Sequence, residues 1–206
     1  MEQERDLAGQ IARAREDEGE IAGGRFQGAL LEGADLWELE LREVTLIGCR
    51  LVNCDCTKLS LYRCRLENCS FEGCSFAKSF WLDTRLEGCK GEGCNFRGSR
   101  VKGNVWREGR FRYANFAQSR WERSRLEGCD LREAVLSEAQ FHRAELNKVD
   151  LTGAELFRAQ LGGLDLSRCT LDQIVLSQSC AELKGATIAP HQAPVVARIL
   201  GINVLE

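Results

Sequence analysis

One feature dominates this chain: stepping by five residues from Phe26, the register meets an apolar side chain almost every time as far as Leu176. Of its 31 positions, 18 are Leu and 7 are Phe, and only Cys56, Trp81, Gly91, Val101, Trp106 and Trp121 differ. Two residues before most of these stands a small or modest-sized residue, such as Ala29, Ala34, Val44, Cys49, Ser79, Thr84, Ala114, Ala134 or Ala154. Two inward residues separated by one outward residue is the mark of a very short extended segment. Five residues cannot keep that alternation in phase, so each block must turn. Gly fills the last block position repeatedly, from Gly28 to Gly163, where a type II turn needs a positive φ.

This clock also accounts for the cysteines. The chain has 11, and Cys49, Cys54, Cys64, Cys69, Cys74, Cys89, Cys94, Cys129 and Cys169 all fall in the small-residue column. Neither zinc pairs nor a redox C-x-x-C has that spacing. Residues twenty apart lie one above another, which stacks Cys49, Cys69 and Cys89 in one column and Cys54, Cys74 and Cys94 in the next. Compact apolar filler is the simplest reading, with thiol redox or metal chemistry as the competing one.

Repeats this short bury nothing alone and must stack into a solenoid. The chain resembles the pentapeptide-repeat proteins over about residues 24 to 188. That resemblance implies an all-β solenoid, a right-handed quadrilateral β-helix with four blocks per coil. Its core ladder would include Phe26, Leu66, Phe71, Phe76, Trp81, Phe96, Phe111, Phe116 and Leu146. About eight coils at one strand spacing each make a rod roughly 37 Å long. Trp81 should point inward, with Gly91 making room for it across the coil.

The ends of such a rod need covers. The expected organisation is an N-terminal helical cap over 1–22, the β-helix over 23–188, and a C-terminal helix and dimerisation segment over 189–206. Residues 2 to 18 read as a helix, with Leu7 and Ile11 on one face and Gly19 as the stop; a frayed acidic tail is the other reading. Acidic Glu2, Glu4 and Asp6 suit the positive end of its dipole. After Leu176 the clock slips by two residues, so Ser177 to Cys180 should bulge before Leu183 and Ile188 resume. Pro190 can open a helix and Gly201 can end it, whereas Pro194 should delay or kink it. The tail, Gln192-Ala193 and then Leu200-Gly201-Ile202 and Val204, is similar to that of the Qnr and MfpA topoisomerase-protecting group. It implies a homodimer with contacts at Val195, Val196, Ile199, Leu200 and Ile202; a plain hydrophobic cap on a monomer is the other reading.

Chemistry is thin. His142 and His191 stand far apart, no Ser/His/Asp set or H-E-x-x-H exists, and Gly93 to Ser99 lacks the Lys of a phosphate loop. We therefore expect no enzyme, cofactor or metal. The acidic start without an apolar core argues against a signal peptide, and no run is long enough for a membrane span, so the expected location is cytoplasmic. Net charge is −3, which argues against direct nucleic-acid binding.

The family precedent is DNA mimicry, in which an acidic rod occupies the DNA site of gyrase or topoisomerase IV and confers quinolone protection. Here residues 21–181 carry 23 basic and 22 acidic side chains. Arg42, Arg63, Arg100, Lys102, Arg120, Arg123 and Arg143 share one face with Glu40, Glu43, Asp83 and Glu122, whereas the opposite face is mildly acidic. A phosphate mimic should show a long stripe of one sign. The favoured expectation is a non-enzymatic interaction rod for an unidentified protein, with a contact patch at Tyr62, Phe80 and Leu82 on the cationic face. The alternative is a DNA-mimicking modulator of a type II topoisomerase.

Overall fold

The computed structural model describes residues 6–16 and 19–205. It is a four-sided parallel β-helix in which each coil takes four blocks, so that residues twenty apart pair. On the first face the strands Glu20–Ala22, Glu40–Arg42, Ser60–Tyr62, Phe80–Leu82, Arg100–Lys102, Arg120–Glu122 and Gln140–His142 stack in that order. Trp81 lies between Leu61 and Val101 in this ladder. The second face is equally deep, running from Arg25–Gln27 to Glu145–Asn147. The third has three regular strands, Leu30–Glu32, Arg50–Val52 and Ser70–Glu72, and then continues as single bridges. The fourth is bridges throughout, from Asp35 to Val175. The deepest regular ladders, on the first two faces, are thus seven strands deep rather than the expected eight coils, because the later coils pair through one residue per side, as Gln140 does with Gln160.

The local chemistry explains this shape. The central residue of each three-residue strand is buried while its neighbours are half-buried or exposed, the period-2 pattern of a short strand. The corner residue that follows takes a left-handed conformation whether or not it is Gly. Gly48 has φ 58° and Glu108 has φ 52°. A bond from the N–H of residue i+3 closes many corners, as from Leu39 to the Leu36 carbonyl at 3.2 Å. On the fourth face Asp and Asn reinforce the turn by accepting the N–H two residues on. Asp35 takes that of Trp37 and Asn115 that of Ala117, both at 2.9 Å.

Inside, Phe26, Leu66, Phe71, Phe76, Trp81, Phe96, Phe111, Phe116 and Leu146 are all buried. Phe76, Phe96 and Phe116 stack nearly parallel at 5.0 and 4.8 Å, and Trp106 meets Trp121 edge-on at 5.0 Å. Such pairs add about 0.5–1.5 kcal/mol each beyond area burial. Gly91 does not serve Trp81. A Cβ there would stand 2.8 Å from the Phe111 ring, and one on Gly109 would collide with the same ring. The buried Trp81 indole N–H is satisfied by the Ser79 hydroxyl, which accepts it at 2.7 Å.

The N-terminal helix spans Leu7–Glu16 and buries Leu7, Ile11 and Ala14 against the first coil. The part of the expected helix at residues 2–5, 17 and 18, with Glu2 and Glu4, lies outside the described residues. Asp6 caps the helix by accepting the Ala8 N–H at 3.1 Å. Gly19 (φ 75°) closes it, donating to Ala14 at 2.7 Å. The strand Glu20–Ala22 already pairs with Glu40–Arg42, so the solenoid begins three residues before the boundary at 23. At the other end, a short helix at Ala181–Leu183 absorbs the slip, and Thr187 then pairs with Asp165, two residues out of step. Pro190 opens only a 3-10 turn, Pro190–Gln192, and the last α-helix starts later, at Ala193–Ile199, with Pro194 in its first turn, where a missing N–H costs nothing and no kink follows.

Candidate functional site

The small-residue column is a hydrogen-bonding device. The Cys64 thiol donates to the Leu41 carbonyl at 3.2 Å, one coil back, and that of Cys94 to Phe71 at 2.6 Å. Where the column holds Thr84, Asn104 or Ser124, the side chain does the same. Asn104 Nδ2 donates to the Trp81 carbonyl at 2.8 Å, and Asn104 Oδ1 accepts the Thr84 N–H at 2.9 Å. All eleven thiols are free and buried. Burial pushes Cys56, Cys64 and Cys169 up, Cys129 to about 11 and Cys94 to about 12. In the stacked pair, the hydrogen bond between Cys54 and Cys74 lowers the first and raises the second. Among the described residues no three His, Cys, Asp or Glu side chains group to hold a metal ion, and no helix is long and apolar enough to cross a membrane. His142 is exposed on the first face and His191 in the C-terminal turn, on separate elements.

The outer surface carries more organisation. Tyr62 and Phe80 meet edge to face at 5.7 Å on adjacent strands, and Leu82 pairs in register with Tyr62. All three are half-buried. Arg42 covers the other side of the Tyr62 ring, its guanidinium 4.2 Å from the centroid. Elsewhere the exposed Trp37 ring sits 5.1 Å from the Lys58 ammonium, and Phe157 is partly covered by Arg158. Tyr113, on the third face, is more exposed than either, at 58%, and no sequence pattern singled it out.

Charges on neighbouring coils neutralise one another. Arg63 bonds Glu43 at 2.7 Å, Arg107 meets Glu127 at 3.1 Å and Arg125 meets Glu145 at 2.7 Å, each twenty residues away. On the third face Asp130 is shared by Arg112 and Arg132.

The C-terminal segment divides. Val195 and Ile199 pack against the end of the core and Val196 is half-buried, whereas Leu200 and Ile202 are 48% and 55% exposed. Two buried polar side chains close the last coil. Gln192 donates to the Leu166 and Cys169 carbonyls at 2.9 and 2.6 Å. Glu182 accepts N–H groups of Arg158 and Ser177, and the Ser177 hydroxyl at 2.8 Å. Burial works to raise its carboxyl, and these donors outweigh it, leaving the group below the usual carboxylate range. Sequence reasoning missed Glu182. Its only signal is an acidic residue inside the two-residue slip.

Comparison with known proteins gives a consistent result. The family signature described as "Pentapeptide repeat region" matches residues 59–136, and that described as "Pentapeptide repeats (8 copies)" matches 25–58, 40–76 and 134–173. A trypsin-treated structure of QnrB1, a plasmid-mediated fluoroquinolone resistance protein, is 20% identical and covers 88% of this chain and 100% of that one, with a TM-score of 0.45. HetL, a pentapeptide repeat protein involved in heterocyst differentiation regulation from the cyanobacterium Nostoc sp. strain PCC 7120, is 18% identical over 87% of this chain and 96% of its own, with a TM-score of 0.32. No curated protein matches.

Proposed function

We propose that this chain, which belongs to the pentapeptide-repeat family, works without catalysis or cofactor as a rigid rod that docks a protein partner. The observation that carries this reading is the half-buried Tyr62–Phe80–Leu82 cluster on two adjacent strands, backed by Arg42. Aromatic side chains held at fixed spacing on a stiff sheet bind with little loss of side-chain freedom. The rod is a homodimer through Val195, Val196, Ile199, Leu200 and Ile202, whose outer members expose apolar surface at the end of the solenoid. It acts in the cytoplasm.

A type II topoisomerase is the alternative partner, favoured by the Gln192-Ala193 and Leu200-Gly201-Ile202 tail. The coil-to-coil ion pairs weigh against DNA mimicry, because they cancel the field a phosphate substitute must project.

A photo-crosslinking residue at Leu82 should trap a discrete partner in cells, and the same residue at Glu92 on the third face should not. Equal trapping from both faces would overturn the docking reading. Purified protein should neither inhibit gyrase supercoiling nor protect gyrase from a fluoroquinolone; either effect would put the topoisomerase reading first. Light scattering should give twice the 23.1 kDa chain mass. Leu200→Asp with Ile202→Asp should halve it.

A further inference from the structure

Directly above Phe80 in the first-face ladder stand Arg100 and then Arg120, paired in register on adjacent strands. Like charges opposite one another in a sheet are destabilising. On the same face Arg42, Arg63, Lys102 and Arg123 each have a carboxylate partner. Among the described residues Arg100 and Arg120 have none, and both are exposed. Lys102 stands two residues along the same strand from Arg100, held at 3.9 Å from Glu122 on the next strand. The apolar cluster and the unpaired guanidinium pair are therefore continuous. They run over four coils, Tyr62, Phe80, Arg100 and Arg120, a span of about 14 Å at one strand spacing per coil.

We infer that this surface recognises an acidic segment of a partner protein that also carries an aromatic or aliphatic anchor. The anchor covers Tyr62, Phe80 and Leu82, and the carboxylates supply what Arg100 and Arg120 lack. Planar guanidinium forks take carboxylates in bidentate fashion, and an incoming acidic chain relieves the repulsion between the two arginines as it docks. Nucleic acid fits less well. Its backbone needs cations repeated along a groove, whereas Asp83, Glu43 and Glu122 interrupt this face.

The inference rests on the docking reading above, and one selection experiment separates the two. The full chain is panned against a random peptide library displayed on phage, and recovered peptides are measured by fluorescence anisotropy. Peptides rich in Asp and Glu around an apolar residue are expected. Their affinity should fall roughly tenfold or more in Arg100→Glu/Arg120→Glu, weaken with added salt, and survive Arg110→Glu on the third face. Peptides that depend on Phe80 (lost in Phe80→Ala) but show no acidic bias would sink the charge inference and leave the docking reading standing. Recovery of no peptide sensitive to Phe80→Ala would overturn both. Binding of a duplex or single-stranded oligonucleotide as tight as that of the best peptide, with the same arginine dependence, would replace the acidic protein with nucleic acid.

Discussion

Glu182 accepts the backbone N–H of Arg158 at 2.9 Å, filling the place that a carbonyl of the next coil would occupy. One coil earlier the corresponding N–H, that of Glu138, donates to the Phe157 carbonyl. A solenoid that stops must satisfy the donors it leaves behind, and here a carboxylate does so.

Replacing Glu182 by Ala should therefore cost about 1–3 kcal/mol, the usual penalty for stranding buried donors. The contribution depends on pH. Because the folded carboxyl is held below its usual value, the stabilisation is complete above the unfolded carboxylate pKa and is lost as pH falls through the folded one. Urea unfolding at neutral pH should separate wild type from Glu182→Ala, and the gap should narrow in acid. A gap that is constant with pH would show that the carboxylate charge contributes nothing.

Gly91→Ala should destabilise by about 1–3 kcal/mol, since the added methyl meets the Phe111 ring inside a packed core. Shrinking the ring should relieve the clash. Gly91→Ala/Phe111→Leu is expected to be more stable than the two single losses combined would make it. Strict additivity in denaturant midpoints would mean that the two residues do not press on one another.

The corners give a prediction of opposite sign at two equivalent sites. Gly48 (φ 58°) has open space where a Cβ would go, so Gly48→Ala should cost about 1 kcal/mol from backbone conformation alone. Glu108 occupies the same corner conformation at φ 52°, and Glu108→Gly should stabilise by a few tenths to about 1 kcal/mol. Thermal midpoints shifting in the same direction for both would contradict a shared corner geometry.

Thiol titration should find the native protein nearly silent. All eleven sulfurs are buried, so reagent cannot reach them, whether burial raises the thiol, as at Cys94 and Cys129, or a stacked neighbour lowers it, as at Cys54 and Cys89. Eleven equivalents should appear only in denaturant. Rapid labelling of one or more cysteines under native conditions would revive a redox role.

Much of this molecule is legible along the chain. The Leu/Phe register, the small-residue column and the recurring corner glycines follow from the two-in, one-out pattern, which any short stacked strand must obey. The thiols are harder to read. Their spacing marks them as interior, but their bonds to carbonyls twenty-three residues earlier exist only once one coil rests on another. Gly91 is misread from sequence for the same reason. The ring it accommodates, Phe111, lies twenty residues on, a vertical neighbour and not one across the coil.

The one-dimensional pattern therefore determined which side of the wall each residue faces, because burial alternates within a single block. Only the stacked structure decided which side chains meet between coils: Arg63 with Glu43, Tyr62 with Phe80, and Arg100 with Arg120 left unpaired. It also decided how the rod ends, since Glu182 and Gln192 act where the repeat fails and no period remains to announce them. The physical reason is that a repeat encodes what every coil shares, whereas pairing and capping depend on how the coils differ.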